Sequence, residues 1–319
     1  MNVLVTGGAG YVGTMLVPML LDQGHRVAVF DSLLYGIGPI LPFFRRDGFS
    51  FARGDIRDRP SLESFARQAD AIVHLAAVVG SPACAQAPQE AQSTNVDGTR
   101  NVAAVAGRSR PVVFASTGSC YGAVSDALCT EGTPLRPLSL YGTSKVQAER
   151  VMLEECSAVV YRLATAYGLS PRLRLDLLVN DFVHRALHER RLSVYEGHAR
   201  RSFIHVWDVA RAVIFALDRP AAMTGRTFNV GDESQNRTKL EICQLIQRLI
   251  PDVRIEAGAP GTDVDHRDYA VSYAGIRALG FSTQVALEDG VRELCAALRW
   301  IDRREAFTNL ARKAGRERS

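Results

Sequence analysis

The stretch Thr6-Gly7-Gly8-Ala9-Gly10-Tyr11-Val12-Gly13 decides the fold. It follows a short apolar, β-branched run, Val3 to Val5, and opens a segment of helical period, with Gly7, Gly10 and Gly13 spaced GxxGxxG. Glycine lets the backbone turn tightly there and approach a pyrophosphate, whose charge is favoured by the free amides and dipole of a helix N-terminus. A second apolar run, Val27 to Phe30, ends in Asp31, 18 residues after Gly13. A carboxylate at that point accepts hydrogen bonds from an adenosine ribose and repels a 2′-phosphate. No Arg or Lys occurs from Asp31 to Phe44, so NAD is expected rather than NADP.

Working outward, Phe49 to Arg53, Ala71 to Leu75, Val112 to Ser116 and Val159 to Leu163 repeat the pattern of a short apolar run followed by a helical stretch. Runs apolar at every position read as parallel strands covered on both faces, joined by right-handed crossover helices. The expected class is α/β, a doubly wound parallel sheet of Rossmann type. Pro18 lies inside the first helix and is expected to kink it, at a local cost of roughly 3 kcal/mol. After Leu163 the rhythm loosens. Asp176 to Arg190, Trp207 to Leu217, Lys239 to Leu249 and Leu287 to Leu298 read as helices, and Ser202 to Val206 and Thr227 to Val230 as strands. The expected division is a dinucleotide-binding domain over 1–165 plus about 203–232, a smaller interleaved C-terminal substrate-binding cap over 166–202 plus 233–298, and a basic tail over 299–319.

The tail accounts for the charge. Across 319 residues the net charge is +4, which invites a nucleic-acid or acidic-membrane reading. From Arg299 onward there are seven basic and three acidic residues, so the preceding 298 are neutral by count. A basic end on a neutral body reads as a solvated tail, with no nucleic-acid or membrane partner. The first twenty-one residues carry no charge, but they lack a basic start and contain four glycines and Pro18, which argues against a signal peptide or a membrane span. Six cysteines without a CxxC pair argue against a disulfide framework or structural zinc and suit a reducing cytoplasm. No metal site is expected. His184 and His188, four apart on a helix, lack a partner at zinc spacing, and His74, His205 and Trp207 read as structural.

Tyr141 and Lys145 form YxxxK on a predicted helix, which puts both on one face. A cation beside the phenol is expected to favour the phenolate and make a usable acid/base near neutral pH. Thr117 ends the preceding strand, at the sheet edge where ligands of open α/β sheets bind.

These motifs, with GDI (54–56), HLAA (74–77), TNVDGT (94–99), STGSCYG (116–122), YGTSK (141–145), RSFIHVWDVARA (201–212) and FNVG (228–231), resemble the extended short-chain dehydrogenase/reductases, within them the nucleotide-sugar epimerase and dehydratase group. The resemblance covers residues 1 to about 298. It implies that Gly7, Gly10, Tyr11, Val12, Gly13 and Asp31 bind the cofactor, that Asp55 and Ile56 hold its adenine, that Leu75, Ala76 and Ala77 line it, and that Asn95 supports it. It implies Thr117, Tyr141 and Lys145 as the catalytic trio, with Tyr141 and Lys145 also touching the cofactor. Thr117 also meets the sugar, and Asn180, Arg201 and Arg267 contact the substrate diphosphate. Arginine suits that task because its fork donates bidentately to phosphate oxygens.

The departures bear on the reaction. The family's dehydratases carry an acidic pair directly after the catalytic Thr; here those positions are Gly118 and Ser119, which argues against 4,6-dehydration and against glutamate-assisted decarboxylation. Thr165 stands where many members have asparagine. Cys120 reads as a small core hydrophobe rather than an acid/base, and Cys84 as loop packing rather than a sugar contact. The resemblance implies a homodimer built through helices near Ala91 to Ala106 and Thr143 to Cys156. The leading expectation is an NAD-dependent nucleotide-sugar epimerase working at C4 through a 4-keto intermediate. A nucleotide-sugar 4-dehydrogenase or 4-keto reductase uses the same residues, and a non-catalytic NAD-binding sensor is the third reading. Truncation after Arg299 is expected to leave nucleotide-sugar binding unchanged.

Overall fold

Seven strands pair in parallel in the order Phe49–Arg53, Arg26–Asp31, Asn2–Thr6, Ala71–His74, Pro111–Thr117, Ser157–Leu163, Arg226–Val230. The structure, a computed structural model, describes residues 1–124, 128–258, 261, 268–302 and 308–309. Side-chain alternation along each strand covers both faces. Val3, Val5, Val27, Val29 and Val113 pack on one side against Leu16, Val17 and Leu20 of helix Gly13–Asp22 and Val209 and Val213 of helix Val206–Leu217. Leu4, Ile72, Val112, Phe114 and Val160 pack on the other against Val102 and Ala103 of helix Thr99–Ala106 and Ala148, Val151 and Met152 of helix Leu140–Glu155. Burial on both faces is why the central strands read as apolar runs, whereas the edge strand Phe49–Arg53 leaves Ser50 and Arg53 exposed.

Helix Gly13–Asp22 continues past Pro18 without a break, so the expected kink does not interrupt it. Four buried neighbours of the proline, Leu16, Val17, Leu20 and Leu21, hold the helix on the sheet and offset the missing hydrogen bond. A further core gathers Leu175, Val179, Phe182, Val183, Leu192, Phe203, Ile242, Ile246, Val291, Leu294 and Leu298. Around it, Arg200–His205 pairs with Thr165–Tyr167 and Asn236–Thr238, and Arg191–Val194 pairs with Arg254–Ala257. Among the described residues no helix is long and apolar enough to cross a membrane.

The chain winds outward in both directions from Asn2–Thr6, so the strand order reverses between that strand and Ala71–His74. Such a reversal opens a crevice at the carboxyl ends of the strands. His74 lies at that point, 1% exposed, with Nδ1 bonded to the Thr6 hydroxyl (2.8 Å) and Nε2 to that of Thr99 (3.0 Å). Burial keeps the ring neutral and lowers its pKa to about 3, with the nearby Lys145 charge adding to the effect. The unfolded chain takes up this proton near pH 6.5, whereas the folded chain does not. The contribution of His74 to stability is therefore fully present above pH 6.5 and declines below it, by about 1.4 kcal/mol per pH unit at the steepest. Urea midpoints measured between pH 7 and pH 5 check this: the acid-side loss is expected to be smaller in a His74→Gln variant, and equal slopes refute it.

Candidate active site

A cavity of 1580 Å³ lies along the crevice. Single drug-sized ligands occupy about 300–1,000 Å³, so this one has room for two extended molecules at once. One end is built on the glycine turn. Gly7 has φ +75°, and a Cβ on it would stand 2.6 Å from Ala76 N, while a Cβ on Gly13 would stand 2.5 Å from the Gly8 Cα. Side chains are thus excluded where the first helix starts, and Gly7, Gly10, Tyr11, Val12 and Gly13 line the cavity with bare backbone at a helix N-terminus. Asp31 lines it too, its carboxylate accepting from the amides of Ala9 (3.0 Å) and Leu33 (2.8 Å). Burial raises its pKa, against the pull of these two amides and of Arg172.

Asp55, Ile56, Leu75, Ala76 and Ala77 line the same end. Asp55 is held by Arg57 at 2.5 Å, which keeps its carboxyl below the usual range. Asn95 sits in a π-helical turn, Ser93–Gly98, and does not reach the cavity. It acts through the loop, accepting from Val78 N (2.8 Å) and donating to Val78 O (3.0 Å) and the Ser144 hydroxyl (3.1 Å).

At the other end stand Thr117, Tyr141 and Lys145. Ser139 starts their helix by accepting from Gly142 N (3.1 Å), which places Tyr141 in its first turn. The expected ionisation is corrected by the structure. Burial pushes the Tyr141 phenol up rather than down, with the neighbouring Arg174 and Thr117 opposing it. Burial also lowers Lys145 to about 8. Both groups lose nearly all their water, so each charged form is disfavoured, and the Lys145 ammonium lies over the Phe114 ring, 4.1 Å from its centroid. Gly118 and Ser119 line this end without a carboxylate, and Tyr269 donates to Gly118 O (2.6 Å).

Arg201 is 3% exposed and lines the cavity with Thr165. Arg267 lies outside the described residues. Asn180 is a correction: it is fully buried and does not line the cavity. Its amide is spent on backbone, accepting from Gly168 N (3.0 Å) and donating to Gly168 O (3.2 Å) and Arg174 O (2.9 Å). It shapes the loop that follows strand Thr165–Tyr167 and has no donor left for a phosphate. That loop is tied to the glycine turn by Tyr11 Oη donating to Gly168 O (2.7 Å) and by the Thr14 and Ser170 hydroxyls (2.8 Å).

The loop also carries cavity residues that local reading missed. Arg172 stacks on Tyr35 (3.9 Å) and draws near Asp31, bringing a cation to the place where none was found between Asp31 and Phe44. Arg174 grips Asp176 with two bonds, 3.1 and 2.6 Å, and its charge reaches Tyr141. The signal was present as charged residues at alternate positions, Arg172, Arg174 and Asp176, the pattern of one face of an extended segment. Lys239 was missed as well; it is buried and stacks on Tyr195 at 3.9 Å.

Other expectations are placed outside the cavity. Cys120 is buried beside the Ser116 hydroxyl (3.5 Å), and burial pushes its thiol up. Cys84 is buried and donates to Val78 O (3.3 Å). His205 bonds Glu293 (2.7 Å) and caps the helix containing Trp207. The terminal segment needs a correction: Thr308 and Asn309 line the cavity, so removing everything after Arg299 would remove part of its wall.

Comparison with known proteins agrees with this geometry. The family model described as NAD dependent epimerase/dehydratase family matches residues 3–231. A dTDP-glucose 4,6-dehydratase of Streptomyces niveus is 30% identical over 315 residues, covering 92% of this chain and 91% of its own length. A UDP-glucose 4-epimerase of Halalkalibacterium halodurans is 30% identical over 276 residues, 77% of this chain and 80% of its own. The solved UDP-glucose 4-epimerase of Thermus thermophilus, a complex with NAD, is similar with a TM-score of 0.81 at 28% identity, covering 94% of this chain and 99% of that one. A glycine turn closed to side chains and a partly buried carboxylate at the end of the second strand fit NAD, which is the cofactor. The chain belongs to the NAD-dependent epimerase/dehydratase family, within the extended short-chain dehydrogenase/reductases.

Proposed function

We propose that this protein is an NAD-dependent nucleotide-sugar epimerase acting at C4. The observation that supports the reading is the placing of Thr117, Tyr141 and Lys145 together at an end of the cavity where positions 118 and 119 are Gly and Ser. Removal of water from a sugar needs a group to take a proton from carbon and a group to protonate the departing hydroxyl, and neither position offers a carboxylate. Asp176 is engaged by Arg174.

In this reading Gly7, Gly10, Tyr11, Val12, Gly13, Asp31, Asp55, Ile56, Leu75, Ala76 and Ala77 hold the cofactor, with Asn95 acting through Val78. NAD held there would supply the hydride acceptor for the sugar carbon and, once reduced, the hydride donor for its return. Tyr141, having first lost its own proton to solvent beside the Lys145 ammonium, takes the proton of the C4 hydroxyl as the phenolate and gives it back, and Thr117 lines the same end of the cavity to share the sugar hydroxyl. Arg201, with Arg267, holds the diphosphate. The keto sugar turns over inside the cavity between the two transfers. We place the cofactor in residues 1–165 plus about 203–232 and the substrate cap in 166–202 plus 233–298.

The purified protein, given a nucleotide sugar without added NAD, is expected to form the C4 isomer. A stoichiometric rise in reduced-nicotinamide absorbance with release of a keto sugar would instead assign the dehydrogenase reading. We also place a homodimer interface on helices Thr99–Ala106 and Leu140–Glu155, which pack side by side; a monomeric mass by light scattering at micromolar concentration refutes it. Six cysteines and a nucleotide-sugar substrate suit the reducing cytoplasm.

A further inference from the structure

We infer that Thr308 and Asn309 form the part of the cavity wall that reads the sugar, with Asn309 as a specificity-determining residue. The inference rests on the nucleotide-sugar reading and deepens it.

Two histidines hold the backbone at Leu298 and Ile301, ahead of Thr308 in the chain. His184 Nε2 bonds Ile301 O at 3.1 Å and His188 Nε2 bonds Leu298 O at 2.9 Å, their rings 4.3 Å apart. Their spacing of four residues, which suggests a metal pair in isolation, puts both on one helix face where they hold backbone carbonyls. Farther on, Thr308 and Asn309 line the cavity.

Asn309 Nδ2 donates to Val79 O at 3.3 Å. Val79 packs on a small cluster of Val78, Ala83, Cys84, Ala91 and Tyr141, so the contact is made on the wall beside the phenol rather than at the glycine turn. The same loop is fixed from behind by Asn95, which clamps both backbone groups of Val78. Asn309 is 8% exposed, and its Oδ1 is buried with no hydrogen-bond partner among the described residues. A buried acceptor without a donor is costly, and a hydroxyl of a sugar seated beside Tyr141 supplies one. A neutral amide suits a neutral polyol, whereas the diphosphate calls for the arginine Arg201.

The test compares bare nucleotides with nucleotide sugars on the full-length NAD-bound protein, by calorimetry with UDP, UDP-glucose, dTDP and dTDP-glucose. In the wild type the sugar is expected to strengthen binding over the bare nucleotide. Asn309→Ala is expected to cut that gain about fivefold to tenfold, leaving the affinity for the bare nucleotide, the NAD content and the melting temperature unchanged. An unchanged gain in Asn309→Ala overturns the inference, as does an equal loss for nucleotide and nucleotide sugar. A wild type that binds no nucleotide sugar overturns it together with the proposed function, and is told apart because the variant is then not needed to see the failure.

Discussion

Tyr141→Phe is expected to lower turnover by about three orders of magnitude while the protein keeps its NAD. The substitution removes one oxygen and leaves a ring 9% exposed within the cluster of Val78, Ala83, Cys84 and Ala91, so packing is retained. What is lost is the hydroxyl, the only path by which this side chain moves a proton. In the proposed reading the glycine turn and Asp31, at the other end of the cavity, hold the cofactor, so its content, read by absorbance after denaturation, should not change. Lys145, lowered to about 8 by burial, sets the alkaline side of the wild-type profile: activity that needs its charge declines as pH rises through that value. Turnover of Tyr141→Phe within tenfold of wild type would refute the acid/base role.

The second large effect is on stability. Glu149, two turns beyond Tyr141 on the same helix face, is bound by Arg162 through Nε (3.2 and 3.1 Å) and by its terminal nitrogen (2.8 Å), and by the Ser116 hydroxyl. The side chains are 4% and 8% exposed. Arg162 also reaches Glu131 O (3.1 Å), and Tyr121 passes the network to Asn229 (2.5 Å). Glu149→Gln leaves the guanidinium buried without a counter-charge, which costs about 3–5 kcal/mol. The expected result is a marked drop in the urea midpoint, and Glu149→Gln combined with Arg162→Met should recover much of it, because a neutral pair carries no stranded charge. The Glu149 charge also helps keep Lys145 protonated, so the alkaline limb of activity in Glu149→Gln is expected at lower pH. A single variant as stable as wild type sinks the argument.

Much of this protein is legible along the chain. The GxxGxxG turn, Asp31 at the end of the next strand and the YxxxK pair are local: each depends on spacings of a few residues within one strand, turn or helix, where backbone geometry fixes which side chains share a face. The buried parallel sheet follows from apolar runs too short for helices. Asn180 shows where such reading stops. A motif position told that an asparagine belongs near the substrate, but only the packed loop reveals that its amide is consumed by Gly168 and Arg174.

Ionisation was equally out of reach. One helical turn between Tyr141 and Lys145 implies an attractive pair, yet the sign of both shifts is set by burial, which depends on every neighbour at once. The same holds for charges brought from afar: Arg172 reaches the neighbourhood of Asp31 across 141 positions of sequence.

The opening turn, taken by itself, determined the strand-turn-helix and pointed to a dinucleotide, because room for a close approach of backbone to phosphate is a property of a few closely spaced glycines. Only the tertiary structure decided what surrounds the other end of the cavity. There the wall is assembled from Val79, Arg174, Arg201, Tyr269 and Asn309, which lie far apart in the chain. Their convergence is a consequence of packing the second core against the sheet, and no local spacing encodes it.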